Sequence, residues 1–213
     1  MAGTITRLQV QARDRERVSV YVDGKFGFGV RAASAGSLQT GQMLTDEEIA
    51  ALQEADVLEA AYAKALRFLS YRPRSEAEMV RYLEGKGLAP ADLAAVLERL
   101  RRSGWVDDHT FAQTWVENRE VFRPRSRRAL AAELRQKGVP AESIQGAVGQ
   151  VDEEAAARRA AQGRVRRLRI LPWPEFRNRL SSYLARRGFG YEVIAPIVRE
   201  MWQEANAGKE SEG

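Results

Sequence analysis

The chain has 213 residues, 44% of them hydrophobic and 30% charged, enough for one large domain or two to four small modules. It contains no cysteine and one histidine, His109, which excludes disulfide frameworks, thiolate metal sites, cysteine nucleophiles and histidine metal clusters. A net charge of +5 and a pI of 9.7 favour nucleic acid or an acidic partner.

No apolar run approaches the roughly 18 residues of a membrane span. The N-terminus lacks the basic-then-apolar layout of a secretory signal. A soluble cytoplasmic protein without metal or cofactor is the expectation. The positive charge is unevenly placed: net −1 over residues 1–55, +2 over 56–106, +1 over 107–151 and +3 over 152–213.

Residues 5–30 alternate in the period-2 manner of half-buried strands. Ile5, Leu8 and Val10 lead to a turn at Arg13-Asp14-Arg15-Glu16, and Val18, Val20 and Val22 follow. Asp23-Gly24 suits a type I′ hairpin turn, whose two central residues need positive φ. A third strand over Lys25–Val30 is expected to carry Phe26 and Phe28 on one face. Gly36 and Gly41 mark a loop. Thr45-Asp46-Glu47-Glu48 predicts a capping box and a short helix to about Gln53. These elements define an N-terminal segment, 1–55, consisting of a small antiparallel β meander and a short helix.

Beyond it the sequence repeats. Arg72-Pro73-Arg74-Ser75 returns unchanged as Arg123-Pro124-Arg125-Ser126, 51 positions later. The same offset carries Leu83-Glu84-Gly85-Lys86-Gly87 onto Leu134-Arg135-Gln136-Lys137-Gly138. A weaker third copy, at an offset of 50, places Pro174 for Pro124 and Leu184-Ala185-Arg186-Arg187-Gly188 for Leu134 to Gly138. Internal repetition on this scale signals a repeat architecture. Each copy reads as three helices, giving modules over 56–106, 107–151 and 152–205, and a frayed tail over 206–213 that starts to loosen near Gln203. In the first copy Pro73 stops one helix, Ser75 and Glu78 cap the next, glycines at 85 to 87 end it, and Pro90 opens the third. Core positions recur threefold: Met79 and Leu83, then Leu130 and Leu134, then Leu180 and Leu184. The fold class is therefore mainly α, with tandem three-helix modules expected in an elongated, curved array.

Four arginines lead the candidate sites. Arg72, Arg74, Arg123 and Arg125 flank prolines just before a capped helix, where free amides and a positive dipole end favour a phosphate or carboxylate. Solvated arginines beside helix punctuation are the competing reading. Arg127 and Arg128 extend the second motif. Arg158, Arg159, Arg164, Arg166, Arg167 and Arg169 form the densest basic run, suited either to sequence-independent phosphate contact or to a soluble helix face. Lys86, Lys137 and Arg187, with Arg186 beside the last, occupy a repeated slot near a helix C-terminus, which favours a structural cation. Asp107 and Asp108 read as helix caps rather than a metal or acid/base pair, and His109 as a surface residue. Trp105, Trp115, Trp173 and Trp202, with Phe111, Phe176 and Phe189, fall on apolar stripes and read as core. Tyr71 and Phe122, just before the repeated motifs, stay open between core and stacking. No phosphate loop, histidine pair or recognisable nucleophile–base spacing is present, so no enzyme is expected.

Taken together, these residues resemble the RecX family, bacterial regulators of the RecA recombinase. The carrying segments are Ala65 to Glu76, Gly104-Trp105-Val106-Asp107-Asp108 with Phe111-Ala112, Arg123 to Ser126 with Glu133-Leu134 and Lys137-Gly138-Val139, and Arg186-Arg187-Gly188-Phe189. They span about residues 56–202 in the family's order. The N-terminal strands lie outside the family's common core, although some members carry an extension there. The third copy has Trp173 and Glu175 around Pro174, so any role of the arginine pair does not extend to it.

The resemblance implies tandem modules resembling helix-turn-helix or winged-helix units, acting in DNA repair, homologous recombination and the SOS response. It implies a protein that binds along the groove of the RecA filament on DNA and inhibits ATP hydrolysis and strand exchange. The partners would be the RecA filament and single- and double-stranded DNA, with the protein itself a monomer. A free-standing DNA-binding protein with helix-turn-helix-like modules is the alternative. Alanine at Arg72, Arg74, Arg123 and Arg125, expected on exposed loops, should weaken filament binding while leaving helical content intact.

Overall fold

In the computed structural model, which describes residues 2–12 and 14–207, the N-terminal alternation becomes an antiparallel sheet. Strands β1 (Gly3–Gln11), β2 (Asp14–Val22) and β3 (Lys25–Arg31) form the expected meander. A two-residue β4 (Met43–Leu44), placed in a loop by sequence reading, pairs with β1 and gives the order β3-β2-β1-β4. The Asp23-Gly24 turn has φ of 49° and 80°, the positive pair that a type I′ turn requires. Asp14, Arg15 and Glu16 belong to β2 rather than to the expected turn; Arg13 lies outside the described residues.

Phe26 and Phe28 do not share a face. Along β2 the partners step from Val20 to Tyr21, while along β3 they step from Phe28 to Phe26, so Gly27 is an extra residue in the ladder. Such a bulge reverses the alternation. Phe28 is buried at 4% exposure and Phe26 is 60% exposed. The inner face of the sheet, Ile5, Val20, Phe28 and Val30, packs with Leu38, Leu44, Ile49 and Leu52.

After the short α1 (Ala32–Ala35), helix α2 runs unbroken over Asp46–Leu69. The expected stop near Gln53 and restart near Asp56 are both absent, because this alanine-rich stretch holds no glycine or proline to interrupt it. The Thr45–Glu48 capping box is present. Asp56 is buried inside α2. Its carboxylate accepts from the Arg31 amide at 2.8 Å and pairs with Arg17 at 2.7 Å, fastening the helix to the sheet. The first copy continues with α3 (Glu76–Glu84) and α4 (Pro90–Arg102), and Pro90 opens α4 as expected. Phe68 of α2 and Tyr82 of α3 stack with ring centres 4.0 Å apart.

The second copy forms α5 (Asp108–Phe122), α6 (Arg127–Gln136) and α7 (Ala141–Gly149). The third forms α8 (Glu153–Leu168), α9 (Trp173–Arg186) and α10 (Tyr191–Ala207). Gly87, among the glycines expected to end its helix, has positive φ, as do Gly138 and Gly188 at the matching positions. Residues 203–207 are helical rather than frayed, with the Asn206 amide donating to the Trp202 carbonyl; residues 208–213 of the expected tail lie outside the described residues.

The chain divides into two compact units. One holds the sheet and following residues through Pro73 together with Met79–Trp105; the other holds Arg74–Glu78 and everything from Val106. The core of the second unit is continuous through two copies: Leu130, Leu134 and Ile144 join Phe176, Leu180, Leu184, Val198 and Met201. Trp173 and Phe176 both pack on Trp202, with ring centres 5.5 and 5.1 Å apart, as expected of core aromatics. Trp105 departs from that expectation. It follows Gly104, whose φ is 70°, and is 55% exposed, while Val106 takes the buried position.

Candidate functional site

The repeated motif builds a joint. Each proline ends the approach to a helix, and the serine two residues on becomes its N-cap. The Ser75 hydroxyl accepts from the Glu78 amide at 3.2 Å, and the Glu78 carboxylate accepts from the Ser75 amide at 3.4 Å. The Ser126 hydroxyl accepts from the Ala129 amide at 3.1 Å. Both serines are fully buried.

Their burial has the same source twice in the second unit. The Ser75 hydroxyl donates to the Lys137 carbonyl at 2.6 Å, and the Ser126 amide donates to the Arg187 carbonyl at 3.2 Å. Lys137 and Arg187 are the C-caps of α6 and α9. A capped helix N-terminus therefore meets the C-terminal end of the corresponding helix in the next copy. An acid from that next copy completes each contact: Asp108 accepts from the Glu76 amide at 2.9 Å, and Glu153 from the Arg127 amide at 3.3 Å. The cations of the slot also bind here, Lys137 to Glu78 at 2.9 Å and Arg187 to the Pro124 carbonyl at 2.8 Å. Lys86, the first residue of that slot, is exposed above the ring of Tyr82.

The arginines divide by partner. Arg72 is half-buried and donates to the Pro73 carbonyl at 2.9 Å; Arg74 is half-buried as well. Arg123 is exposed. Arg125, expected on an exposed loop, is half-buried and pairs with Glu133 at 2.9 Å. The same carboxylate accepts from Trp115 Nε1 and Arg119 Nε, each at 2.8 Å. Arg127 donates to the Val151 carbonyl at 2.8 Å, and Arg128 is exposed.

On α8, Arg158 pairs with Glu200 and Arg159 with Glu120. Arg164 lies 5.6 Å from the centre of the Tyr183 ring. Arg166, Arg167 and Arg169, like Arg186 on α9, are exposed and have no ion-pair partner among the described residues. Of the arginines singled out in the sequence, Arg123, Arg128, Arg166, Arg167, Arg169 and Arg186 are exposed without a side-chain partner among the described residues, all in the second unit. Sequence reading passed over Arg135, Arg177 and Arg199, which are also exposed. Each follows a buried apolar residue, Leu134, Phe176 or Val198, and only helical phase marks it. Tyr71 and Phe122, open between core and stacking on sequence grounds, are 71% and 75% exposed.

Asp107 acts as the cap of α5, while Asp108 accepts from the Glu76 amide of α3. The Asp107 carboxylate accepts from the amides of His109 and Thr110 and from the Thr110 hydroxyl, and these bonds, the hydroxyl foremost, hold it below the usual aspartate range. His109 is exposed, as expected. Among the described residues no group of three His, Cys, Asp or Glu could hold a metal ion, and no helix is long and apolar enough to cross a membrane.

Known proteins match this chain in sequence and fold. Family models for the first, second and third three-helix domains of RecX match residues 61–100, 107–148 and 152–198. A model for the RecX N-terminal domain matches residues 3–44, so the likeness takes in the sheet as well. The regulatory protein RecX of Thermobifida fusca (strain YX) is 38% identical over 148 residues, covering 68% of this chain and 80% of that protein. The regulatory protein RecX of Bacillus subtilis (strain 168) is 29% identical over 213 residues, covering 98% and 81%. A crystal structure of regulatory protein RecX superposes with a TM-score of 0.71 at 28% identity, covering 92% of this chain and 98% of that one. With the sheet and all three helical copies matched in order, the chain belongs to the RecX family of regulatory proteins.

Proposed function

We propose that this chain is a non-enzymatic regulator of the RecA recombinase. It binds as a monomer in the groove of the RecA filament on DNA, in the cytoplasm, and suppresses ATP hydrolysis and strand exchange. The observation that carries this reading is a set of exposed arginines in the second unit that includes Arg123, Arg128, Arg166, Arg167, Arg169 and Arg186. Guanidinium groups without an intramolecular carboxylate keep their charge available for phosphate oxygens or acidic side chains. Their distribution over several helices of two copies fits many modest contacts whose effects multiply when linked. The joint gives that role a frame: burial of Ser75 and Ser126 fixes where each motif sits.

The test is a titration of RecA bound to single-stranded DNA with the purified protein, following ATP hydrolysis and strand exchange. The expected result is loss of both near stoichiometric amounts. Unchanged hydrolysis and strand exchange would sink the proposal. Tight binding to a specific duplex without RecA, in the presence of competitor DNA, would favour the free-standing DNA-binding reading.

A further inference from the structure

Two separate irregularities in the N-terminal sheet converge on one rung. Between β1 and β2 the partners step from Ile5↔Val22 to Arg7↔Tyr21, so Thr6 is an extra residue in β1. Between β2 and β3, Gly27 is an extra residue in β3. Strict alternation from buried Ile5 would turn Arg7 inward, and strict alternation from buried Phe28 would turn Phe26 inward. Each bulge reverses one of these. Both reversals place a side chain on the outer face, on either side of Tyr21.

The result is a row of three: Arg7, Tyr21 and Phe26. The Arg7 guanidinium lies 3.9 Å from the centre of the Tyr21 ring, and the rings of Tyr21 and Phe26 meet edge to face at 6.0 Å. Arg7 and Phe26 are exposed, and Tyr21 is half-buried. The next row on this face is Gln9, Ser19 and Gly29, without charge and, at Gly29, without a side chain. Neither row contains a carboxylate, although residues 1–55 carry a net charge of −1. Nearby Asp23 is occupied by the Thr4 amide at 3.0 Å. Aromatic rings on a sheet, an arginine beside them and polar side chains in the adjacent row suit an unpaired base better than an apolar or basic peptide. A base stacks on a ring, an arginine meets its phosphate, and amides reach its edge.

We infer that the Arg7–Tyr21–Phe26 face of the N-terminal sheet is a stacking site for single-stranded DNA, separate from the arginines of the helical copies. The choice of DNA over RNA rests on the RecA–DNA reading under Proposed function; the site itself does not require RecA. Full-length protein, without RecA, is irradiated with an oligodeoxynucleotide carrying 5-iodouracil, and cross-linked peptides are mapped. The expected product joins the DNA to a peptide containing Tyr21 or Phe26. In parallel, F26A and the double variant Y21A/F26A are expected to weaken binding of oligo-dT by roughly five- to one-hundred-fold, with little change in the slope of affinity against salt. F26W keeps the affinity. R7A lowers the salt slope by about 0.7.

Cross-links confined to peptides of residues 56–207, or oligo-dT binding by Y21A/F26A equal to that of the parent protein, would overturn the inference. Cross-linking to oligo-U but not to oligo-dT would overturn the choice of DNA. If the double variant binds DNA normally yet loses RecA, the face docks protein and the inference fails. Because no RecA is present in the DNA experiment, its failure is distinct from failure of the regulatory reading.

Discussion

The Ser75 hydroxyl and the Lys137 carbonyl, 62 positions apart, form a 2.6 Å hydrogen bond whose counterpart in the next copy joins the Ser126 amide to the Arg187 carbonyl at 3.2 Å. The contact leaves little room. A Cβ at Gly188 would stand 2.5 Å from the Ser126 hydroxyl and 2.8 Å from the Ala129 side chain, at a φ of 93°. At Gly87, the matching residue of the first copy, φ is 76° and nothing lies within 4 Å. Gly87→Ala should therefore cost only the left-handed conformation, about 1 to 2 kcal/mol. Gly188→Ala should add overpacking of roughly 1 to 3 kcal/mol. Urea unfolding of the two variants checks the order, and equal losses would show that the second contact is loose.

Asp107 caps α5 through the His109 and Thr110 amides. Asp107→Ala should cost about 1 kcal/mol. Its pH dependence follows from the direction of the shift. The folded carboxyl is held below its unfolded value, so its contribution is complete above the ordinary aspartate range, about pH 3.9, and disappears as pH falls through the lower folded value. Parent and D107A stabilities should thus converge in acid. A gap that persists below the folded value would assign the effect to packing.

Glu133 holds Trp115, Arg119 and Arg125 at once. In the first copy the positions matching Arg119 and Glu133 hold Phe68 and Tyr82, stacked at 4.0 Å. Ring stacking in one copy takes the place of an ion pair in the other. Glu133→Ala should lose roughly 1 to 3 kcal/mol, because it leaves partly buried donors unmatched. Arg125→Ala should lose less but measurably, and Arg123→Ala should change stability by under about 0.5 kcal/mol. Thermal unfolding of the three variants separates a structural arginine from an available one within one tetrapeptide.

For filament binding, replacing Arg166, Arg167 and Arg169 together with alanine should weaken affinity for RecA on single-stranded DNA. The salt slope should fall by about 0.7 for each phosphate that is no longer neutralised. Arg158→Ala and Arg159→Ala, whose parent side chains are held by Glu200 and Glu120, should alter the slope little. Binding measured across a salt series tests both. Equal effects of the two sets would mean that the intramolecular pairs open on binding.

The devices legible in the sequence act within a few residues. The Thr45 and Ser75 capping boxes, the Asp107 cap, the Asp23-Gly24 turn and the glycines at 87, 138 and 188 each depend on a short hydrogen-bonded loop or on one φ angle, and all are present. The threefold apolar spacing likewise fixed the helices and most of their buried faces, because helical period is local. Apart from the break expected between Gln53 and Asp56, where α2 runs on, the main failures involve partners distant in sequence or an inserted residue in a ladder. Nothing in the sequence marks Thr6 as an extra residue, and Gly27, a residue type common at bulges, shares its strand with Gly29, so the faces of Arg7 and Phe26 were set by register. Nothing local distinguishes Arg125 from Arg123, yet Arg125 meets the Glu133 carboxylate while Arg123 stays exposed. The sequence determined by itself that Arg-Pro-Arg-Ser stops one helix and starts another. Only the tertiary structure decided that its serine is buried against the next copy, because that contact brings together groups some 60 residues apart.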